Sequence, residues 1–487
     1  MSQRKQAAPG QRTRRTLDEI HATGAFLPGG LYRPEFRRTL ESVETRFKLG
    51  QVLRQSCSRE LHAAWAAPKD RPDPLKLIAD SNRGRLADLV PLRMGRMAAS
   101  PFAFLRGSAC VMAWDLAQLP DTGLNVILDG DAHLDNFGLF GSANGEVVFD
   151  LNDFDETLVG PWIWDLKRLC ASVNVAGREN GFSRRERHAT VMQCVRGYRT
   201  SVTRLATMST LEVWNQHSLA DHFAAEFGGD AKVRAIIRKA KEKALAQNNL
   251  SFFSKVIDTG PQGPRFRDEP PLLGRTDDET REALTEALYG YADSVSRERA
   301  YMLRRYRVKD AAHRVVGVGS VGTRAWLLLL IGNDPKDPLF LQVKEATKPA
   351  AALYAPPLPK DFRHQGRRVV HGQRLLQGSG DPLLGWTTMA GRPYYVRQMR
   401  NMKGAIPSEW LAPDPLAFFS AGFAGLLARG HARTGDACVI AGYCGNSRVL
   451  DEALADWAES YGDQVVADHA LLKADIAAGK IRAEPRF

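Results

Sequence analysis

The sequence predicts an α+β, helix-rich fold divided into two lobes, and three features carry that expectation. A chain of 487 residues with 44% hydrophobic and 25% charged residues is long and apolar enough to bury more than one core. Apolar residues at helical spacing dominate its first half and its C-terminal end. Between them lies a block of short apolar runs punctuated by Gly and Pro, the texture of antiparallel strands.

The elements follow from the N-terminus. Residues 1–30 begin with Arg4, Lys5, Arg12, Arg14 and Arg15 among Gln, Ala, Pro and Gly, which reads as a disordered, solubilising basic tail. From Arg33 to about Ala66, Phe36, Leu40, Val43, Phe47 and Leu53 fall near one helix face. After Ser100 the texture changes, and Leu124-Asn-Val-Ile-Leu-Asp-Gly-Asp131 reads as a buried strand running into a polar loop. Residues 161–256 are helix-like, with Trp162, Leu166, Leu169 and Val173 on one stripe. Gly and Pro then concentrate in Asp258-Thr-Gly-Pro-Gln-Gly-Pro-Arg and Glu269-Pro-Pro, which marks a lobe boundary. A helix is expected from about Asp277 to Arg304. Beyond it, His313-Arg-Val-Val, Arg324 to Ile331 and Leu339 to Lys344 read as a three-strand meander, Pro393-Tyr-Tyr-Val-Arg-Gln-Met as a fourth strand, and Leu411 to Gly479 as helix.

Composition narrows the function classes. With 67 Lys+Arg against 55 Asp+Glu the net charge is +12, but the cations are spread along the chain, so nucleic acid is not an expected partner. The longest apolar run, Ala325 to Ile331, is far short of the roughly 20 residues that cross a bilayer, and Met1-Ser-Gln-Arg-Lys lacks an apolar signal core. No membrane insertion and a cytoplasmic location are expected. The 6 cysteines form no CxxC pair and read as reduced thiols.

Two motifs bear chemistry. In Gly130-Asp131-Ala-His133-Leu-Asp135-Asn136, followed by Val147-Val-Phe-Asp150-Leu-Asn152-Asp153-Phe-Asp155-Glu156, strand-like runs deliver carboxylates and an amide to one loop region. Such oxygen ligands suit Mg²⁺, and a free carboxylate beside them can orient or deprotonate an attacking hydroxyl. Asp150 could replace Asp153 in the metal role, since Val147-Val-Phe-Asp150 also ends a strand, but the spacing to Asp165 favours Asp153. The other motif is Gly317-Val-Gly319-Ser320-Val-Gly322, a weak match to phosphate-cradling glycine patterns. A Rossmann unit would open a helix here, with Glu345 as its acidic residue. A kinase would place the glycines between antiparallel strands with a Lys on the third. Alternation along Leu339-Phe-Leu-Gln-Val-Lys344 puts Leu339, Leu341 and Val343 on one face and Phe340, Gln342 and Lys344 on the other, so Lys344 can face a nucleotide.

Asp131-x-x-x-x-Asn136 resembles the catalytic loop of the protein-kinase-like fold, especially its aminoglycoside- and choline-phosphotransferase branch. There a Gly-Asp-x-His-x-x-Asn loop precedes a strand ending in a metal-binding Asp, here Asp153. Asp165 is similar to the Asp that anchors the loop in those kinases, and Gly425-Leu-Leu-Ala-Arg-Gly-His431-Ala resembles the helix that precedes the loop. The stretch from Phe102 to Arg168, including Phe104-Leu-Arg106-Gly107, resembles the bacterial DUF2252 family, and that resemblance extends over most of the chain. The kinase resemblance implies ATP and Mg²⁺ as cofactors and transfer of the γ-phosphoryl to a hydroxyl of an unidentified acceptor. It implies Asp131 as the catalytic group, Asn136 and Asp153 on the metal, and Gly317, Gly319, Ser320, Gly322 and Lys344 on the nucleotide. Because the catalytic loop precedes the glycine loop, the fold would be circularly permuted. Its parts would be a catalytic lobe at 31–260, a nucleotide-binding lobe at 275–410, and C-terminal helices at 411–487 packing back on the first lobe. Kinases also pair the Lys with a helix Glu, and Arg363 to Gln377 has none; Gln373 is a possible substitute. The alternatives are a pseudokinase-type nucleotide-binding module, a metal-dependent phosphohydrolase, and a Rossmann-type oxidoreductase. His133 is expected to be structural, Arg106 to pair with a loop carboxylate, and Arg397 and Lys403 to lie near a hinge and substrate entrance.

Overall fold

The computed structural model describes residues 41–484 except 227, 262, 316, 359–361, 400 and 401. The expected basic tail, and the first part of the helix expected from Arg33, lie outside the described residues. Helix α1 (Val43–Leu53) ends well before Ala66, where Ser56, Cys57 and Ser58 break the periodicity. Short helices α2 (Pro74–Ser81), α3 (Val90–Ala98), α4 (Pro101–Gly107) and α5 (Ala109–Ala117) follow.

The strand expected after Leu124 is β1 (Asn125–Leu128), which pairs antiparallel with β4 (Leu158–Pro161). Between them, β2 (Phe137–Gly141) and β3 (Val147–Leu151) form a hairpin extended by β5 (Ser218–Leu219). Helix α6 (Trp162–Glu179) starts directly from β4 and is almost wholly buried, followed by α7 (Arg184–Ala206), which opens on a Ser183–Glu186 capping box. Helices α8 (Thr210–Asn215), α9 (Ala220–Glu226), α10 (Ala231–Leu245) and α11 (Asn249–Val256) lead to the Gly/Pro segment. That segment folds as a hairpin of β6 (Ile257–Gly260) and β7 (Gly263–Phe266).

The strand block forms a six-stranded antiparallel sheet in the order β12-β13-β11-β10-β9-β8. Its strands are β8 (Leu273–Arg275), β9 (Arg307–Arg314), β10 (Ala325–Ile331), β11 (Pro338–Glu345), β12 (Gly385–Met389) and β13 (Arg392–Gln398). Two helices, α12 (Asp278–Ala292) and α13 (Arg297–Leu303), replace the single one expected. The Leu-rich run of β10 is apolar on both faces because both are covered. Leu328 and Leu330 pack with Leu341, Val343 and Tyr291 of α12, while Leu327 and Leu329 pack with Phe340, Phe252 and Phe266. Helix α14 (Gln365–Leu376) lies between β11 and β12 in the chain.

The C-terminal residues form α15 (Pro413–Thr434), α16 (Ala437–Cys444) and α17 (Val449–Ala477). They join the large core that also contains α6, α7 and the β1–β4 region, with α15 lying along α7. Thr434, at the end of α15, accepts at Oγ1 from the Ile127 N–H of β1 at 3.2 Å, so the helix ends against the strand that leads to Asp131. No described helix is long and apolar enough to cross a membrane.

Candidate functional site

The loop after β1 turns at Gly130, whose φ of +84° favours glycine and where a Cβ would meet the Glu156 carbonyl oxygen at 2.1 Å. Asp165, in the first turn of α6, fixes the turn by accepting from the Asp129 and Gly130 N–H groups at 2.7 and 2.9 Å. His431 of α15 contacts the same carboxylate at 3.3 Å, and its Nδ1 is 2.8 Å from the Tyr198 hydroxyl. Asp165 and His431 thus clamp the loop from two helices far apart in sequence.

Arg168, one turn after Asp165, reaches Oδ1 of Asp131 with Nε at 2.8 Å and Nη2 at 2.6 Å. Oδ2 is left with His133 Nε2 at 3.6 Å. Burial pushes the Asp131 carboxyl up to about 7; Arg168 opposes the rise and Glu156 adds to it. Burial, then Arg106 and Arg168, holds the His133 ring well below its ordinary range, which keeps it neutral. Asn136 donates from Nδ2 to the Asp131 carbonyl at 2.7 Å, so its amide oxygen remains as an acceptor. Arg106 pairs with Asp135 at 2.8 Å.

The glycine segment links β9 to β10, two antiparallel strands, and Lys344 lies on the next strand, β11. No helix opens at the glycines, so the Rossmann arrangement is absent here. Val318–Ser320 form a single 3₁₀ turn, and Gly322, at φ +86°, packs against the Arg85 stem. Lys344 is 2% exposed on the face that alternation assigns to it, above the Tyr395 ring. Its Nζ pairs with Asp155 and donates to Ser320 Oγ at 2.7 Å, while Ser320 donates to Asp155 at 3.1 Å. Burial would lower the ammonium, but Asp153 and Asp155 hold it above its ordinary value. Gln373 does not take the place of the missing helix Glu: its amide donates to Gln377 at 3.0 Å, and the partner of Lys344 is Asp155.

Asp150 and Asp153 separate cleanly. Asp150 is 1% exposed and committed to structure, accepting from Arg429 Nη2 at 2.5 Å and from the Gly378 N–H at 2.8 Å. Asp153 faces the cleft, and its Oδ1 is buried without a hydrogen-bond partner, as is Oδ1 of Asp155.

These groups meet in an open cleft of about 1970 Å³ that Asn136, Asp153, Gly317, Ser320 and Lys344 all line. Arg314, Arg397, Lys243 and Lys403 line it too, with Arg397 close enough to Asp153 and Asp155 to feel their charge. Arg397 is held by Gln342 Oε1 at 2.9 Å. A second cavity of about 710 Å³ shares Arg106, Asn136, Asp153, Gly317 and Ser320 with the cleft and adds Asp131 and Gly319. Gly322 lines neither cavity; it shapes the loop. The orphaned carboxylate oxygens of Asp153 and Asp155, with the Asn136 amide, are hard donors that suit Mg²⁺ shared with phosphate oxygens. Among the described residues no group of three or more His, Cys, Asp or Glu is placed to hold a metal ion, the kind of set a two-metal phosphohydrolase uses.

Sequence reasoning missed Asp155 as the partner of Lys344, although it stands two positions past Asp153, and missed Arg168, although its helical spacing from Asp165 puts it on the loop-facing side. The profile of a family described as "Uncharacterized protein conserved in bacteria (DUF2252)" matches residues 85–475. No curated protein and no solved structure matches the chain.

Proposed function

The chain belongs to the DUF2252 family, and from that premise and the cleft we propose that it is a permuted, two-lobed kinase-like phosphotransferase that binds ATP with Mg²⁺ and transfers the γ-phosphoryl to a hydroxyl acceptor. The observation that carries the reading is the convergence of Asn136, Asp153, Gly317, Ser320 and Lys344 on one cleft, although Lys344 and its partner Asp155 are 189 residues apart in the chain. The end of α15 against β1 supports the permuted order, since it sets a helix bearing His431 just ahead of the Asp131 loop in space.

In this reading the triphosphate lies between the glycine segment and the Asp153 region, and its oxygens compete with Asp155 for the Lys344 ammonium. Asn136 and Asp153 would hold Mg²⁺, which when bound neutralises phosphate charge. Arg397 and Lys403 extend the positive field along the cleft. Asp131 faces the acceptor with Oδ2. It orients the hydroxyl and takes its proton as the bond from oxygen to the γ-phosphorus forms and the bond from that phosphorus to the ADP oxygen breaks. Arg168, engaged on Oδ1, fixes the carboxylate and keeps part of it ionised near neutral pH. Phosphoryl transfer rests on positioning and charge stabilisation, which this set supplies.

The test is Asp131→Asn, read by ADP formation across a panel of hydroxyl compounds. The expected outcome is a loss of about 10²–10⁴-fold in turnover with Mg·ATP binding kept; unchanged turnover refutes the role. One observation favours a binding-only module instead: Lys344 is tied to a carboxylate of the metal region and helix α14 offers it no Glu. ATP binding with no ADP formation above background in the unmodified protein would select that second reading.

A further inference from the structure

Beside Asp131, on the side walled by the N-terminal helices, lies the cavity of about 710 Å³, and its wall carries Arg85, Arg93 and Arg106. Arg106 is neutralised by Asp135; the other two are not. Arg85 donates from Nη1 to the Val321 carbonyl at 2.6 Å and from Nε to the Ser81 carbonyl at 3.1 Å. Arg93 is 2% exposed and donates to Asn82 Oδ1 and to the Gly107 carbonyl, each at 2.6 Å, while its Nε is buried with no partner. All of these partners are neutral. Among the described residues no carboxylate lies within ion-pair distance of either guanidinium. Glu156 lines the same cavity with Asp131, Asp153 and Asp155 and attracts both guanidiniums from beyond ion-pair distance, while its carboxylate accepts from the Ala350 N–H.

Two adjacent guanidiniums, one buried and one half-buried, with no carboxylate paired to either, are costly unless a ligand supplies an anion. Burial and the neighbouring Arg85 push Arg93 down to about 9, so the site favours an arriving negative charge. The neutral His133, whose Nδ1 is buried without a partner, stands at the same wall near Asp131.

We infer that this cavity is the acceptor subsite and that Arg85 and Arg93 hold an anionic group, a carboxylate or phosphate, of a small hydroxylated acceptor whose hydroxyl faces Asp131. The inference rests on the phosphotransferase reading for the word acceptor, but the anion subsite stands on its own geometry. The free space beside Asp131 is about 100 Å³, enough for a single anionic group and not for a folded protein substrate. Arginine suits the task because its planar fork binds two oxygens of one carboxylate or phosphate.

The experiment is calorimetric titration of inorganic phosphate into the full chain, with the nucleotide cleft first saturated by Mg²⁺ and a non-hydrolysable ATP analogue. The expected result is one saturable phosphate site, weakened at least tenfold by Arg85→Gln and unchanged by Lys473→Gln, which removes the same charge from an exposed position on α17. If Arg85→Gln does not fold, Arg93→Lys, which keeps the charge and loses the fork, is expected to weaken phosphate in the same way. No phosphate binding, or binding equal in these variants, overturns the subsite while leaving the nucleotide reading intact. Failure of the ATP analogue to bind, with Arg85-dependent phosphate binding retained, overturns the phosphotransferase reading and leaves the anion subsite.

Discussion

Replacing Asp150 and Asp153 in turn by Ala should give opposite results, although one lies in β3 and the other just after it. The Asp150 carboxylate and its partner Arg429 are 1% and 4% exposed at their side chains, and Nε and Nη1 of Arg429 have no hydrogen-bond partner. Asp150→Ala therefore leaves a buried guanidinium with no anion and strips the Gly378 N–H of its acceptor. Breaking a buried ion pair from one side costs about 3–5 kcal/mol. Asp153 carries the reverse balance: its buried Oδ1 has no hydrogen bond to lose, and Lys344 keeps Asp155. Asp153→Ala loses attraction to the buried Lys344 ammonium but removes an unpartnered buried oxygen, so it should cost about 1 kcal/mol, clearly less than Asp150→Ala. The assays are urea unfolding followed by tryptophan fluorescence and, on the same samples, titration with Mg·ATP. Asp150→Ala should unfold at markedly lower urea and, while folded, bind nucleotide; Asp153→Ala should unfold only slightly below the parent and bind at least tenfold more weakly. A neutral Asp150→Ala, or an Asp153→Ala that is strongly destabilised yet binds Mg·ATP normally, refutes this division of labour.

Two further outcomes are expected. Lys167 is 1% exposed, its Nζ lies 4.7 Å from the centre of the Trp457 ring with no hydrogen-bond partner, and burial pushes it down to about 7. Between pH 7 and 10 the unfolded chain binds this proton and the folded one does not, so stability rises with pH. Lys167→Met should stabilise by a few kcal/mol at pH 6, on the order expected for a buried lysine, and the gain should fade toward pH 10; denaturation at pH 6 and pH 9 checks the sign. Asp165→Ala removes the acceptor of two loop N–H groups and of His431, so about 2–4 kcal/mol of stability should be lost. Any ATP-dependent turnover should then fall more steeply than nucleotide binding, as kinetics against calorimetry would reveal.

Much of the cleft was legible in the sequence because its residues sit at strand ends, where period-two alternation and loop chemistry speak directly. Alternation along β11 assigned Lys344 to the face opposite Leu341 and Val343, and the structure has that division. The spacing of Asp131, Asn136 and Asp153 was likewise readable. Long-range pairing was not. The spacing to Asp165 favours Asp153 over Asp150, but what commits Asp150 to structure is Arg429, 279 residues away from it. The kinase pattern puts the partner of this lysine on a helix, whereas the partner of Lys344 comes from the loop after β3. Strand β9 begins at Arg307 rather than near His313 because Arg307, Lys309 and Asp310 hide it; Asp310 is 7% exposed and accepts from the Phe266 N–H at 2.7 Å, a contact from another hairpin. The helices broke where expected runs were continuous, at Asp293–Ser296 and Gly435–Asp436, since periodicity persists across a short turn between helices packed on one core.

The central claim is that motifs from distant parts of the chain build one Mg·nucleotide site, and its most direct test is calorimetric titration of ATP with and without Mg²⁺ into the parent protein, Asp153→Asn and Lys344→Ala. The account predicts Mg-dependent binding that each substitution weakens at least tenfold in protein that remains folded by circular dichroism. Absence of binding, or binding indifferent to both substitutions, would contradict it.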